Sequence, residues 1–150
     1  MKNKSFVKRY RHTGIVCKDI KKSVFFYKDI LGMKIVQDFC DNSNYINKII
    51  GLKNENVHMI KLKMMSGEIL ELISFSKNKT KIIKLPFNTS GLVHFAIEVS
   101  NLDKVYKKLR SKNVKFLSKP IISSEKFAKV CFCLDPNNVR IELVEILYKK

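Results

Sequence analysis

Two histidines and two glutamates stand at matching places in the two halves of this chain: His12 and Glu71 in the first, His94 and Glu142 in the second. Imidazole nitrogen and carboxylate oxygen, with no thiolate among them, suit a divalent first-row metal such as Ni, Co, Zn, Mn or Fe. Four protein ligands of this kind leave open positions in an octahedral site, where water or a substrate oxygen can bind. Taken singly, a His at a strand start or a Glu inside a strand is an ordinary surface or core residue. The fourfold match makes them a candidate metal set.

The match comes from an internal repeat, which dictates the fold before any single residue does. HTGIVCKDIKKSVFFYKDILGMKIV begins at His12, and HFAIEVSNLDKVYKKLRSKNVKF begins at His94. Each reads as a strand led by His, a polar cap, an amphipathic helix, a turn residue and a second strand. Each half then ends on a matching tripeptide, Leu70-Glu71-Leu72 and Ile141-Glu142-Leu143. The pattern predicts an α+β chain of two βαβββ modules, each too small to close its own core. Module one spans about 9–76, a Lys-rich linker with Pro86 spans 77–90, and module two spans about 91–147.

In module one, residues 11–18 read as a strand. Asp19 is an N-cap for a helix carrying Ile20, Val24, Tyr27 and Leu31 at helical spacing. Gly32 ends it, and residues 33–39 return as a strand. The polar stretch 40–56 holds an apolar island at 45–52, a short helix or flap. Strands at 57–65 and 68–75 are joined by Ser66-Gly67, a hairpin signal.

In module two, Asn101 or Asp103 caps a helix with Leu102, Val105 and Leu109 on one face. Asn113 closes it in the left-handed conformation, and residues 114–117 resume extended structure. The last strands, 129–134 and 139–146, flank Asp135-Pro136-Asn137-Asn138, where Pro presets φ and Asn tolerates left-handed backbone. The last strand alternates Ile141 and Leu143 against Arg140, Glu142 and Val144. A carboxylate within such a strand is costly to bury without a partner. Glu98 shares the His94 face of its strand and could line a site; Glu68, Glu145 and His58 lack counterparts across the repeat and are set aside.

Composition narrows the function classes. The 150 residues carry a formal charge of +17, which invites a polyanion. Only four of the 30 basic residues are Arg, however (Arg9, Arg11, Arg110, Arg140), and the Lys residues are spread over the whole length. Base and phosphate recognition favours the Arg fork, so the charge reads as a solvated surface and nucleic acid is not the expected partner. No apolar run approaches the roughly 18–20 residues that span a bilayer. Residues 1–8 read as a loose basic arm, with no apolar segment behind them to make a secretory signal. Cys17, Cys40, Cys131 and Cys133 match no zinc spacing and read as four small buried hydrophobes of a reduced cytoplasm.

These motifs resemble one family. His12-Thr13-Gly14 with Phe26-Tyr27-Lys28-Asp29-Ile30-Leu31-Gly32-Met33, Gly91-Leu92-Val93-His94-Phe95-Ala96, and Asp135-Pro136-Asn137-Asn138-Val139-Arg140-Ile141-Glu142-Leu143 are similar to the vicinal oxygen chelate superfamily. That group includes glyoxalase I, methylmalonyl-CoA epimerase, extradiol dioxygenases and fosfomycin- and bleomycin-resistance proteins. The resemblance covers roughly residues 10–147. It implies βαβββ modules whose strands curl into an open cup around one divalent metal, with Ni, Co or Zn expected ahead of Mn or Fe. It also implies small substrates that chelate the metal through adjacent oxygens, and a homodimer.

With His12, Glu71, His94 and Glu142 all filled, the ligand set is similar to that of bacterial glyoxalase I. Two family positions depart from it: Val16 stands where an Arg that holds the glutathione carboxylate is usual, and Phe75 where an Asn is usual. The resemblance implies a metal-dependent lyase or isomerase on a small carbonyl substrate, the metal acting as a Lewis acid. Glu142, or else Glu71, would carry the proton of the adjacent C–H as base and then acid. Arg140 is a candidate for an anionic substrate group, and the 45–52 flap for excluding water. A methylmalonyl-CoA epimerase-like isomerase and a non-catalytic binding protein of the bleomycin-resistance type are the competing expectations.

Overall fold

The structure of the chain, a computed structural model, describes residues 6–77, 79–92 and 94–147. The chain divides into two compact units, residues 1–80 and 81–150, and each carries a four-stranded mixed sheet. Of the expected arm at 1–8, residues 1–5 lie outside the described residues.

The first unit runs β1 (Thr13–Val16), α1 (Ile20–Val24), a π-helical continuation (Phe25–Ile30), β2 (Lys34–Asp41), α2 (Asn44–Ile50), β3 (Val57–Lys63) and β4 (Ile69–Phe75). Its strands lie in the order β1-β4-β3-β2, with β1 parallel to β4 and the other pairs antiparallel. Asp19 caps α1 as expected, its carboxylate accepting the Lys22 N–H at 3.0 Å. The helix then widens: the Leu31 N–H reaches back five residues to the Phe26 carbonyl at 3.0 Å. That wider turn shifts the buried stripe from the expected Ile20, Val24, Tyr27 and Leu31 to Ser23, Phe26, Tyr27 and Ile30. Gly32 ends the segment at φ +82°, a conformation that costs glycine nothing.

The polar stretch after β2 folds as α2, capped by the Ser43 hydroxyl on the Ile46 N–H at 3.2 Å and ended by Gly51 at φ +68°. Asn47 clasps it to the chain beyond. Its amide donates to the Ser43 and Glu55 carbonyls at 3.0 and 3.1 Å and accepts the Glu55 N–H at 2.8 Å. Glu55 is buried, with its carboxylate accepting the Lys77 N–H at 3.1 Å.

The second unit runs β5 (His94–Glu98), α3 (Leu102–Ser111), β6 (Ile121–Ile122), β7 (Ala128–Leu134) and β8 (Arg140–Ile146), in the order β5-β8-β7-β6. Asn101 is the cap of α3, accepting the Lys104 N–H at 2.9 Å. Asp103 instead pairs with Lys129 at 2.7 Å. Glu145 accepts the Leu102 N–H at 2.9 Å, so this discounted carboxylate serves the same helix end. Asn113 is left-handed at φ +60°, as expected. The extended structure expected at 114–117 is reduced to one bridge, Phe116 with Cys133. Pro120, which has no N–H to donate, stands just before the two-residue β6.

Most of each core lies on one face of its sheet, with Val57 and Met59 buried on the other face in the first unit. Leu62, Leu70, Leu72 and Tyr27 are fully buried in the first unit, and Leu102, Leu109, Cys131, Cys133, Ile141 and Leu143 in the second. None of the four cysteines forms a disulfide, but Cys40 is exposed and not the buried hydrophobe expected. It lies on β2, the edge strand, which has a neighbour on one side only.

Candidate metal and proton-transfer site

In each unit a parallel strand pair sets the functional side chains. Along β1 and β4, Gly14 is registered with Glu71; along β5 and β8, Ala96 is registered with Glu142. His12 and His94 each stand two residues before that small neighbour, so both imidazoles share the Glu face of their sheet. The small neighbour leaves room above the carboxylate. A Cβ on Gly14 would meet only the Ile73 Cδ1 at 3.6 Å, ordinary van der Waals contact.

The side chains meet pairwise. His12 Nε2 lies 3.3 Å from Glu71 Oε2, and His94 Nε2 lies 2.9 Å from Glu142 Oε2. Glu71 is the more enclosed carboxylate, its side chain 10% exposed against 23% for Glu142. The donors of each pair fit a first-row divalent cation in type. They fit in spacing too, because two ligands about 2.1 Å from one ion at right angles lie about 3 Å apart. Among the described residues no three His, Cys, Asp or Glu side chains gather as a group able to hold a metal. Each unit therefore presents two donors.

The two pairs differ in what surrounds them, and nothing in the repeat announced this. Across from Glu71 on β3 stands Lys61, its ammonium 3.6 Å from Glu71 Oε1 and 5.8 Å from the centre of the Phe39 ring. Across from Glu142 on β7 stands Phe132, edge-on to His94 at 5.2 Å. Phe87, from the segment before β5, stacks on His94 at 6.1 Å and meets Phe132 edge-on at 5.4 Å. His94 Nδ1 is buried without a hydrogen-bond partner. An Nε2–H donated to Glu142 leaves Nδ1 as a bare lone pair beside aromatic rings.

Arg140 shares the Glu142 face, but it is already engaged: its guanidinium donates to the Leu85 carbonyl and lies 5.0 Å over the Phe87 ring. It thus fastens the segment at Leu85–Phe87 to β8. Glu98 lies two residues beyond Ala96 on β5 and is exposed. Lys61, Phe132 and Phe87 escaped the sequence reading. Lys61 and Phe132 were reachable from it, since a hairpin centred on Ser66 puts 61 opposite 71, and one centred on the Asp135–Asn138 turn puts 132 opposite 142. For Phe87 there is no local signal.

The carboxyl end of the sequence folds as its turn chemistry dictates. Buried Asp135 accepts the Asn137 and Val139 N–H groups at 2.7 and 2.8 Å, and Asn138 takes φ +63°. That closure sets the register of β8, and with it the position of Glu142.

Comparison with known proteins agrees with this architecture. The family model of the Glyoxalase/Bleomycin resistance protein/Dioxygenase superfamily matches residues 11–132. The lactoylglutathione lyase of Schizosaccharomyces pombe is 31% identical over 147 residues, covering 91% of this chain; the chain spans only 47% of that enzyme's length. The uncharacterized Bacillus subtilis protein YwkD is 26% identical over 140 residues, 93% of this chain and 98% of its own. A solved glyoxalase family protein from Bacillus cereus superposes with TM-score 0.86 at 19% identity, over 98% of both chains, a likeness of fold. A repeated module with the same His–Glu register in each half, and a family match across most of its length, make this chain a member of the glyoxalase/bleomycin resistance/dioxygenase (vicinal oxygen chelate) superfamily.

Proposed function

We propose that the chain is a metal-dependent lyase or isomerase of the glyoxalase I type, moving a proton on a small carbonyl substrate. The observation that carries this reading is the identical placement of His12–Glu71 and His94–Glu142 in two sheets of the same register. Residue for residue, a protein that only enclosed a ligand would gain nothing from two His–Glu pairs with donors at ligand spacing. The name of the Schizosaccharomyces pombe relative supports the same chemistry.

His12, Glu71, His94 and Glu142 would hold one divalent ion, Ni, Co or Zn ahead of Mn or Fe, the two modules being drawn from one chain or from two copies. When bound, that ion supplies Lewis acidity toward the substrate carbonyl oxygen. Glu142 is the proton carrier: it is the more exposed carboxylate, and among the described residues it pairs with His94 and with no lysine or arginine. It takes the proton from the carbon beside the carbonyl and returns it to the neighbouring carbon. Glu71, held between His12 and Lys61, keeps its place. Glu98 stands at the rim of the same sheet face. Val16 and Phe75 stand where the resemblance to glyoxalase I implies an Arg and an Asn that hold glutathione, which argues against a glutathione-bearing substrate.

The protein is proposed to work in the cytoplasm as a homodimer. Its cysteines form no disulfide, and Tyr45, Ile49, Leu92, Ile121 and Phe127 are exposed apolar side chains available for burial against a second copy. No helix among the described residues is long and apolar enough to cross a membrane.

Metal analysis of the purified protein, beside His12→Ala and Glu142→Ala, tests the reading. One ion per site in the wild type, reduced in both variants, supports it; no stoichiometric metal after incubation with nickel or zinc overturns it. Hemithioacetal isomerisation, followed by thioester absorbance, tests the glyoxalase branch. A loaded protein inactive there is the outcome expected of an epimerase or another isomerase.

A further inference from the structure

We infer that Lys61 is a specificity residue, which receives an oxyanionic group of the substrate, a carboxylate or phosphate, beside the metal. The inference rests on the metal-site reading above and adds to it the charge that the substrate must carry.

Lys61 Nζ lies 3.6 Å from Glu71 Oε1, while His12 Nε2 takes the other oxygen at 3.3 Å. The Lys61 side chain is only 24% exposed, and Glu71 is the one carboxylate it pairs with among the described residues. The strand architecture does not demand a cation there, since the matching position opposite Glu142 is Phe132. The β2 residue in register with Lys61 is Gln37, which is uncharged, and Phe39 offers its ring at 5.8 Å.

A dication that takes Glu71 as a ligand withdraws the negative charge on which Lys61 depends. The ammonium is then a partly enclosed cation beside a second cation, an arrangement that costs free energy until an anion arrives. Two further basic residues stand on a Glu face: Lys63, which is exposed, and Arg140, which is occupied by the Leu85 carbonyl and the Phe87 ring. A substrate whose oxyanion sits near its reacting carbonyl meets both requirements: its carbonyl oxygen faces the metal and its anionic oxygens face Lys61. A neutral carbonyl compound would leave Lys61 unpaired.

Cobalt supplies the metal and a visible spectrum, and oxalate supplies a small oxyanion with adjacent oxygens. Cobalt and then oxalate are titrated into the intact wild-type protein, Lys61→Met, Lys61→Arg and Lys63→Met. Lys63 is the exposed lysine two residues along the same strand. The expected result is that Lys61→Met binds cobalt at least as tightly as wild type, because a competing cation has gone. Its oxalate affinity should fall by about tenfold or more, with Lys61→Arg restoring most of it and Lys63→Met matching wild type. Oxalate affinity unchanged in cobalt-loaded Lys61→Met, or lowered equally in Lys63→Met, overturns the assignment while leaving the metal site standing. A wild-type protein that takes up no cobalt overturns the metal reading and this inference together.

Discussion

The carboxylate of Asp135 accepts the N–H of Val139 at 2.8 Å across the last turn of the chain. With the Asn137 N–H at 2.7 Å on the same oxygen, this one side chain closes the turn and sets β8 in register. Asp135 is buried, so its loss leaves two backbone donors without their partner. Asp135→Ala is expected to lower stability by about 2–3 kcal/mol. Urea unfolding measures that cost, and amide exchange in β7 and β8 should accelerate more than in β3 and β4. Uniform exchange across both sheets would contradict a local role.

A second prediction concerns the flap. Asn47 makes three side-chain hydrogen bonds that tie α2 to Glu55. Replacing it by Ala removes all three and leaves the Glu55 N–H in a buried place. The expected loss is about 1–3 kcal/mol, read as faster amide exchange over residues 44–56.

The division of labour between the glutamates is testable by isosteric substitution. Glu142→Gln keeps an oxygen beside His94 but removes the proposed base, so on the proposed function activity should fall by roughly 10²–10⁴-fold while some metal binding remains. Glu71→Gln breaks the pair with Lys61 and removes a proposed metal ligand. It should show first in metal content, and only then in turnover of whatever loaded protein remains. Equal losses in both quantities for both variants would leave the two roles undivided.

Thiol chemistry gives a prediction in pH. Burial pushes the Cys131 thiol up from 9.0 to about 11, with the charge of Asp103 adding to it. Burial, with Cys131 and Asp135 nearby, pushes Cys133 to about 12. The fold holds both as neutral thiols, so their contribution to stability is complete below about pH 9 and is lost as pH rises toward 11–12. Stability followed by urea midpoint should therefore decline over that alkaline window, and less steeply in a Cys131→Ala, Cys133→Ala variant. With an aromatic disulfide reagent near neutral pH, exposed Cys40 should react in the native protein. The remaining three should wait for unfolding.

The sequence by itself determined the repeat, the order of elements in each module, the four His and Glu positions and the turn at Asp135. These are local matters: strand alternation, caps and left-handed residues depend on near neighbours, and a repeated pattern doubles the signal. Asp19, Gly32, Asn113 and Asn138 all adopt the roles their chemistry dictates. Lys61 faces Glu71, and Phe132 faces Glu142, across hairpins whose turns the sequence marks, although the pairing exists only once the strands close. Tertiary structure alone brought the Phe87 ring onto His94. Arg140, expected to meet an anionic substrate group, is instead spent on the Leu85 carbonyl and the Phe87 ring. Cys40 is exposed because β2 ends its sheet. Position along the chain sets which chemistry a residue carries; only closure of the chain sets which charge, ring or solvent it faces.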